Sequence, residues 1–276
     1  MPTGAYVSPP AGSEVVAVDG PGPFVTRVRY RLADGRLLDW TSRAHRKKQA
    51  RSLGTWIAVL FMIGSACFAV GSVAGYSSLV GARADAVTYF VGSLFFTSAA
   101  YLQYVECIST PMTLAPDAGW RPRLFTLEIH RIDWWATVVQ LAGTLFFNAT
   151  TLFALDAALS AKQEDLIVWS PDALGSICFL IASQLAYAEA GHHWISWRPH
   201  DMGWRIAALN MLGSIFFGIS AIAGWVEPST GDLRNAALDT SGTFWGAICF
   251  FIGAALLLSE PQQSAAASDT EVVEAP

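Results

Sequence analysis

Long stretches without a single charged residue dominate this chain. No Asp, Glu, Lys or Arg occurs from Ser52 to Ala82, Ala86 to Val105, Trp134 to Leu155, Ile206 to Val226 or Thr240 to Ser259. Each stretch reaches the roughly 20 residues that carry a helix across a bilayer. A sixth, Leu166 to Ala188, is interrupted only by Asp172. There Ser170, Pro171 and Asp172 read as N-cap, first-position proline and first-turn acid, which predicts a helix starting near Ser170. The pattern predicts an all-α membrane protein with six transmembrane helices. Before the first span the period changes: Val28, Tyr30 and Leu32 alternate with Arg27, Arg29 and Arg31, and Asp34-Gly35 precedes Arg36-Leu37-Leu38. Residues 24–40 are expected to form a short β-hairpin, residues 1–23 and the tail 261–276 to be disordered.

Aligning the six spans on one glycine each gives one string six times. It reads Gly64-Ser65-Ala66-Cys67-Phe68, Gly92-Ser93-Leu94-Phe95-Phe96, Gly143-Thr144-Leu145-Phe146-Phe147, Gly175-Ser176-Ile177-Cys178-Phe179, Gly213-Ser214-Ile215-Phe216-Phe217 and Gly246-Ala247-Ile248-Cys249-Phe250. Seven residues past each glycine the side chain is small again: Gly71, Ala99, Thr150, Ala182, Ser220 and Gly253. Small residues a heptad apart form a seam along which helices approach closely, so the six glycines are read as helix-packing residues. The even-numbered helices share more: Leu102, Leu185 and Leu256 lie ten residues after the glycine, and Glu106, Glu189 and Glu260 fourteen after. The repeating unit is therefore a two-helix hairpin, at 51–108, 130–190 and 200–260, and three parallel copies predict a pseudo-threefold arrangement about the membrane normal.

With Gly-Ser-x-x-Phe twice per hairpin and an acid ending the second helix, residues 40–261 resemble three tandem copies of the YrhK-like two-helix membrane domain, beginning at Trp40-Thr41-Ser42-Arg43-Ala44-His45-Arg46-Lys47. The resemblance implies an architecture and no activity. Mitochondrial carriers share the plan of three hairpins, but their Pro-x-Asp/Glu-x-x-Lys/Arg signature is missing from the odd helices.

Composition fits this reading: 53% of the 276 residues are hydrophobic and 14% charged. The net charge of -5 matters less than its distribution. Arg27, Arg29, Arg31, Arg36, Arg43, Arg46, Lys47, Lys48 and Arg51 precede the first span, and Arg121, Arg123, Arg131, Arg198 and Arg205 lie in the second and fourth loops. Only Arg83, Lys162 and Arg234 remain for the other side, so both termini are expected in the cytoplasm of a bacterial inner membrane. The first 50 residues are polar and rich in Pro and Gly, so no signal peptide is expected. The basic N-terminal segment is expected to meet anionic membrane lipids rather than nucleic acid. Seven tryptophans (Trp40, Trp120, Trp134, Trp135, Trp194, Trp197, Trp204) fall near the cytoplasmic interface, as an aromatic belt would. Cys67, Cys107, Cys178 and Cys249 sit in or at the ends of spans, which excludes a disulfide framework.

Candidate chemistry gathers at the cytoplasmic ends. Glu106, Glu189 and Glu260 point near the seam, and thirteen residues before the glycine of each odd helix stands Arg51, His130 or His200. Thirteen or fourteen residues rise about 20 Å, so all six are expected to meet in one charge cluster, with Lys48, Arg131 and Arg205 as neighbouring bases. Glu189, His192, His193 and His200 lack a metal-binding spacing, and no metal or cofactor is expected. Gln140, Asn148 and Asn210 are the main polar side chains deep in the membrane, explained by interhelical hydrogen bonds. No nucleotide loop, nucleophile elbow or zinc-protease motif occurs. Two functions stay open: a non-enzymatic structural or regulatory module, and a passive pathway for a small solute or cation along the axis.

Overall fold

The computed structural model describes residues 12–44, 51–110, 121–156, 158–227, 230 and 232–268, with backbone alone at 51–52 and 260–268. The basic run 45–50, Trp120 and the last residues of the acidic tail lie outside the described residues. The chain is mostly helical, with one small sheet at its N-terminal end.

The sheet has three antiparallel strands in the order β1 (Glu14–Asp19), β2 (Arg27–Arg31) and β3 (Leu37–Thr41). Its alternation puts Val28, Tyr30 and Trp40 into a small core and the arginines on the other face, as a period of two requires. Gly35 closes the β2–β3 turn at φ 84, a left-handed conformation that favours glycine. Strand β1 corrects the expectation of disorder before residue 24. Its Val15, Val16 and Val18 are good strand formers, and the Pro- and Gly-rich flanks hide a segment that covers the free edge of β2.

Six long helices follow: α1 (Arg51–Gly71), α3 (Ala82–Ser109), α4 (Ile132–Phe153), α6 (Ser170–Gly191), α7 (Met202–Ala223) and α8 (Ala236–Ser268), with short helices α2 (Tyr76–Val80) and α5 (Ala161–Glu164) between them. Five helical segments are long and apolar enough to cross a membrane: Leu53–Gly71, Ile132–Phe153, Ala161–Gly191, Met202–Ala223 and Ala236–Ser259. Helix α3 has the length, at 28 residues, but Arg83, Asp85, Gln103 and Glu106 make it more polar. Helix α8 runs on to Ser268, past Glu260, where the sequence suggested a tail.

The segment before α6 also differs from expectation. Helix starts at Ala161, where the Ser160 N–H donates to Gln163 Oε1 at 3.1 Å in a capping box. It continues through a π-helical turn, Asp165–Trp169, into Ser170. Pro171 lacks an N–H and its ring crowds the preceding turn, and the wider π turn makes room without ending the helix.

Each long helix packs on the next, and α8 packs back on α1, so the six form a closed ring. The glycines sit where sequential helices touch. A Cβ on Gly64 would lie 2.9 Å from the Gly92 carbonyl, one on Gly175 3.1 Å from that of Gly143, and one on Gly213 3.0 Å from that of Gly246. Two residues on, Leu94, Leu145, Ile177 and Ile215 are 45%, 55%, 51% and 43% exposed. Large apolar side chains standing outward on four of the six helices make an outer surface that suits lipid.

Candidate functional site

The middle of the ring is filled by phenylalanine. Phe68, Phe147 and Phe217 form one triangle, with ring centroids 6.4, 6.1 and 5.8 Å apart. Phe96, Phe179 and Phe250 form a second, at 6.3, 6.2 and 5.6 Å. The triangles are joined at 5.3, 5.0 and 5.2 Å through the pairs Phe68–Phe96, Phe147–Phe179 and Phe217–Phe250. All six are buried in one cluster, at separations that favour tilted and edge-to-face contacts.

On the side of the layer nearer the sheet lies a cavity of about 110 Å³. Gln103, Gln140 and Asn210 line it together with Glu106 and Arg43. Asn148 does not line it; its amide donates to Thr97 Oγ1 at 2.8 Å, between α3 and α4.

Buried carboxylates at this end have partners from other segments. Glu189 accepts from Ser42 Oγ at 2.7 Å, which ties the end of the sheet to α6. Arg131 grips Asp133 through Nε at 3.0 Å and Nη2 at 2.6 Å, donates to the Thr110 carbonyl at 3.2 Å, and leaves Asp133 a further contact with Cys107 Sγ. Glu106 shares the cavity with Arg43, whose side chain crosses the face of Gly203 on α7. His130 and His200 are exposed, whereas Glu106 and Glu189 are buried. Arg51 and Glu260 fall where backbone alone is described.

The histidine that goes inside is His192, which ends α6 at φ 62 and meets Thr26 Oγ1 at 2.9 Å. Burial, with Arg198 and Arg27 nearby, holds its pKa below the ordinary histidine value. His193 is exposed, so the four residues Glu189, His192, His193 and His200 do not converge; among the described residues no three His, Cys, Asp or Glu could hold a metal ion. The linkers that carry these residues are pinned alike. Tyr104 and Trp134 both donate to the Thr126 carbonyl, while Tyr187 and Trp204 donate to Ser196 through its carbonyl and its hydroxyl.

The arginine stripe of β2 is largely matched within the sheet. Arg27 and Arg29 reach Asp39 at 2.5 and 2.7 Å, and Arg31 reaches Glu14 at 3.5 Å. The Arg29 hydrogen bond leads in holding the Asp39 pKa down at about 2.

On the far side of the phenylalanine layer lies a second cavity, of about 340 Å³. Asp85, Glu164, Asp172 and Asp239 line it, and the sequence reading assigned none of them to a site. From sequence Asp172 reads as a first-turn acid, and Asp85 and Asp239 stand just before charge-free runs. The available signal was positional: Asp85 and Asp239 both stand seven residues before a seam glycine, and Asp172 three before one.

Comparison with protein-family models, with curated proteins and with solved structures finds no match to this chain.

Proposed function

We propose that the chain is a six-span membrane module of three tandem YrhK-like hairpins about a pseudo-threefold axis. It is non-enzymatic, and its centre is held shut. The observation that carries this reading is the phenylalanine layer, where one ring from each long helix meets at the centre. Helix α3 is the sixth span: it is packed between α1 and α4, and its Leu94 faces outward as Leu145 does. The three close glycine approaches favour three equivalent hairpins, and the two phenylalanine triangles favour the axis.

In this reading the sheet end is cytoplasmic, as the distribution of Lys and Arg supports, and the protein lies in the bacterial plasma membrane. Arg121, Arg198 and Arg205, with the basic run 45–50, meet anionic lipid there. The arginines of β2 contribute less, because Asp39 and Glu14 offset them. Cysteine at Ser78, Lys162 or Thr230 is expected to label from outside, and at Arg36 from inside.

The deciding measurement is flux. Vesicles containing the purified protein are expected to pass potassium and glycerol no faster than empty ones. The cavities on both sides of the layer favour one second reading, a passive pathway for which the phenylalanines are a gate. Flux above that of empty vesicles in the native protein replaces the module with the pathway.

A further inference from the structure

The two linkers at the sheet end show one arrangement twice. Counted back from the seam glycines Gly143 and Gly213, Phe125, Thr126 and Leu127 fall on Ile195, Ser196 and Trp197. The middle residue of each triplet is held against the bundle. Tyr104 of α3 and Trp134 of α4 donate to the Thr126 carbonyl, and Tyr187 of α6 and Trp204 of α7 donate to Ser196. These clamping residues also stand at matching positions of the repeat. In a non-helical stretch the neighbours of an inward residue point the other way, and they do so here: Phe125 and Leu127 are 79% and 67% exposed, Ile195 and Trp197 88% and 81%. Each clamp takes one ring from each of the two helices that its linker joins, so the outward pair is presented from a fixed base.

Both linkers are fastened to the outer side of the helices. The Trp194 carbonyl accepts from Gln184 Nε2 at 2.8 Å, and Gln184 continues the outward stripe of Ile177 and Ile181 along α6, at the spacing of one helical face. The Ile129 carbonyl accepts from Nε1 of Trp135, an exposed ring of α4, at 2.9 Å. The level of these bonds is that of a leaflet boundary. Gly143 and Gly213 lie at the middle of the apolar segments Ile132–Phe153 and Met202–Ala223. Gln184 stands nine residues past the equivalent Gly175, a rise of about 14 Å, against about 15 Å for half a hydrocarbon core. Arg121 and Arg198 flank the apolar pairs, as cations that meet phosphate while apolar neighbours reach the acyl chains. Apolar side chains held outward at that level and continuous with the lipid-facing stripes have lipid as their neighbour.

We infer that the linkers 121–131 and 192–201 are two in-plane membrane anchors, which insert Phe125, Leu127, Ile195 and Trp197 at the boundary of acyl chains and headgroups in the leaflet at the sheet end. The partner is the phospholipid of that leaflet. The inference rests on the membrane reading above and deepens it, because arginines alone give a lipid contact that salt screens, whereas clamped apolar pairs add one that salt does not.

The test uses the full-length protein in vesicles of phosphatidylethanolamine and phosphatidylglycerol, with a nitroxide spin label carried in turn by Phe125→Cys and Ile195→Cys. Leu145→Cys is the lipid reference and Arg36→Cys the aqueous one. The signal of the identically treated native chain, which has free cysteines of its own, is subtracted. Dissolved oxygen concentrates in lipid and a nickel chelate stays in water. Oxygen is expected to relax the labels on both linkers several-fold more than the chelate does, as at Leu145→Cys, with the reverse at Arg36→Cys. Where a label at Phe125→Cys or Ile195→Cys prevents folding, Leu127→Cys or Trp197→Cys is read in its place. Relaxation dominated by the chelate on the linkers, with oxygen dominant at Leu145→Cys, overturns the anchors and leaves the membrane reading standing. Chelate dominance at Leu145→Cys as well overturns both. Labels on the linkers that neither reagent reaches overturn the anchors in favour of a protein that covers them.

Discussion

The two ends of the helix bundle treat buried charge in opposite ways. At the sheet end, Asp133 takes two hydrogen bonds from Arg131, and Glu189 takes one from Ser42, so the cost of removing each carboxylate from water is offset by a group of the same chain. At the far end Asp239 accepts from Ser220 Oγ, but Asp85 Oδ1 is buried without a partner and the partly exposed Asp172 has no hydrogen bond or ion pair among the described residues. The first arrangement fastens elements together: α4 to the end of α3, and the sheet to α6. The second surrounds a cavity, and there only Asp239 joins two of the helices, α7 and α8, among the bonds described. Matched charge therefore marks where segments of the chain are held together, and the unmatched oxygens stand beside open space.

The largest expected effect tests the matched end. Arg131→Ala leaves Asp133 buried without its cation and is expected to cost about 3–5 kcal/mol of stability. The double variant Arg131→Ala, Asp133→Ala is expected to recover much of that, since the uncompensated charge is gone. Equal midpoints for the single and double variants in detergent would mean that the pair does not offset itself.

Next comes Ser42→Ala, which takes a hydroxyl donor from a buried carboxylate and is expected to cost about 1.5–3 kcal/mol. Because this bond joins the sheet to α6, limited proteolysis between β3 and α1 is expected to accelerate as well. Unchanged proteolysis would detach the sheet from the comparison.

His192 gives a smaller, pH-dependent effect at the same junction. Its folded pKa lies below its unfolded value, so protonation favours the unfolded form. Stability is full above the unfolded value near 6.5 and falls as pH drops below it. Native protein is expected to lose stability from pH 7.5 to 5, by an amount reduced in His192→Gln; parallel profiles would show that the Thr26–His192 contact opens freely.

The smallest effect is expected at the unmatched end. Asp172→Asn removes a charge that no side chain among the described residues offsets, so the midpoint is expected to stay within about 0.5 kcal/mol of native or to rise. A loss as large as that of Arg131→Ala would erase the distinction between the two ends.

The helical runs were legible because lipid-facing and core-facing positions are both apolar, which leaves uninterrupted stretches that length alone identifies. The register that aligns six glycines also aligns the six phenylalanines that meet at the centre, since both follow from residues one helical turn apart. What escaped was anything decided by a distant segment. Pro171 looked like a helix start, because sequence spacing does not show that a π turn can absorb it. Glu14–Asp19 looked like part of a disordered arm, because its partner strand lies beyond a Pro- and Gly-rich turn. Fixed helical spacing drew His130 and His200 toward the glutamates, but they lie in or beside linkers whose path is set by Tyr104, Trp134, Tyr187 and Trp204. It is His192, brought against Thr26 by the fold of the N-terminal sheet, that is buried.

At the level of the seam glycines, one junction of the ring closes without a hydroxyl bond among the described residues. Between α3 and α4, Ser93 bonds Thr151, and between α6 and α7, Ser183 bonds Ser214. Where α8 meets α1, Ala247 and Ala254 stand at the positions of Ser176 and Ser183, and the Ser65 hydroxyl is buried without a partner among the described residues. This is the contact between the first and the last of the six long helices to be synthesised. The flank of α1 therefore waits, uncovered, until α8 has been made. Its only hydroxyl at that level does not depend on α8 for a hydrogen bond, so the closing helix can seat by shape alone. A chain that stops before Ala236 leaves that flank of α1 uncovered and the ring open.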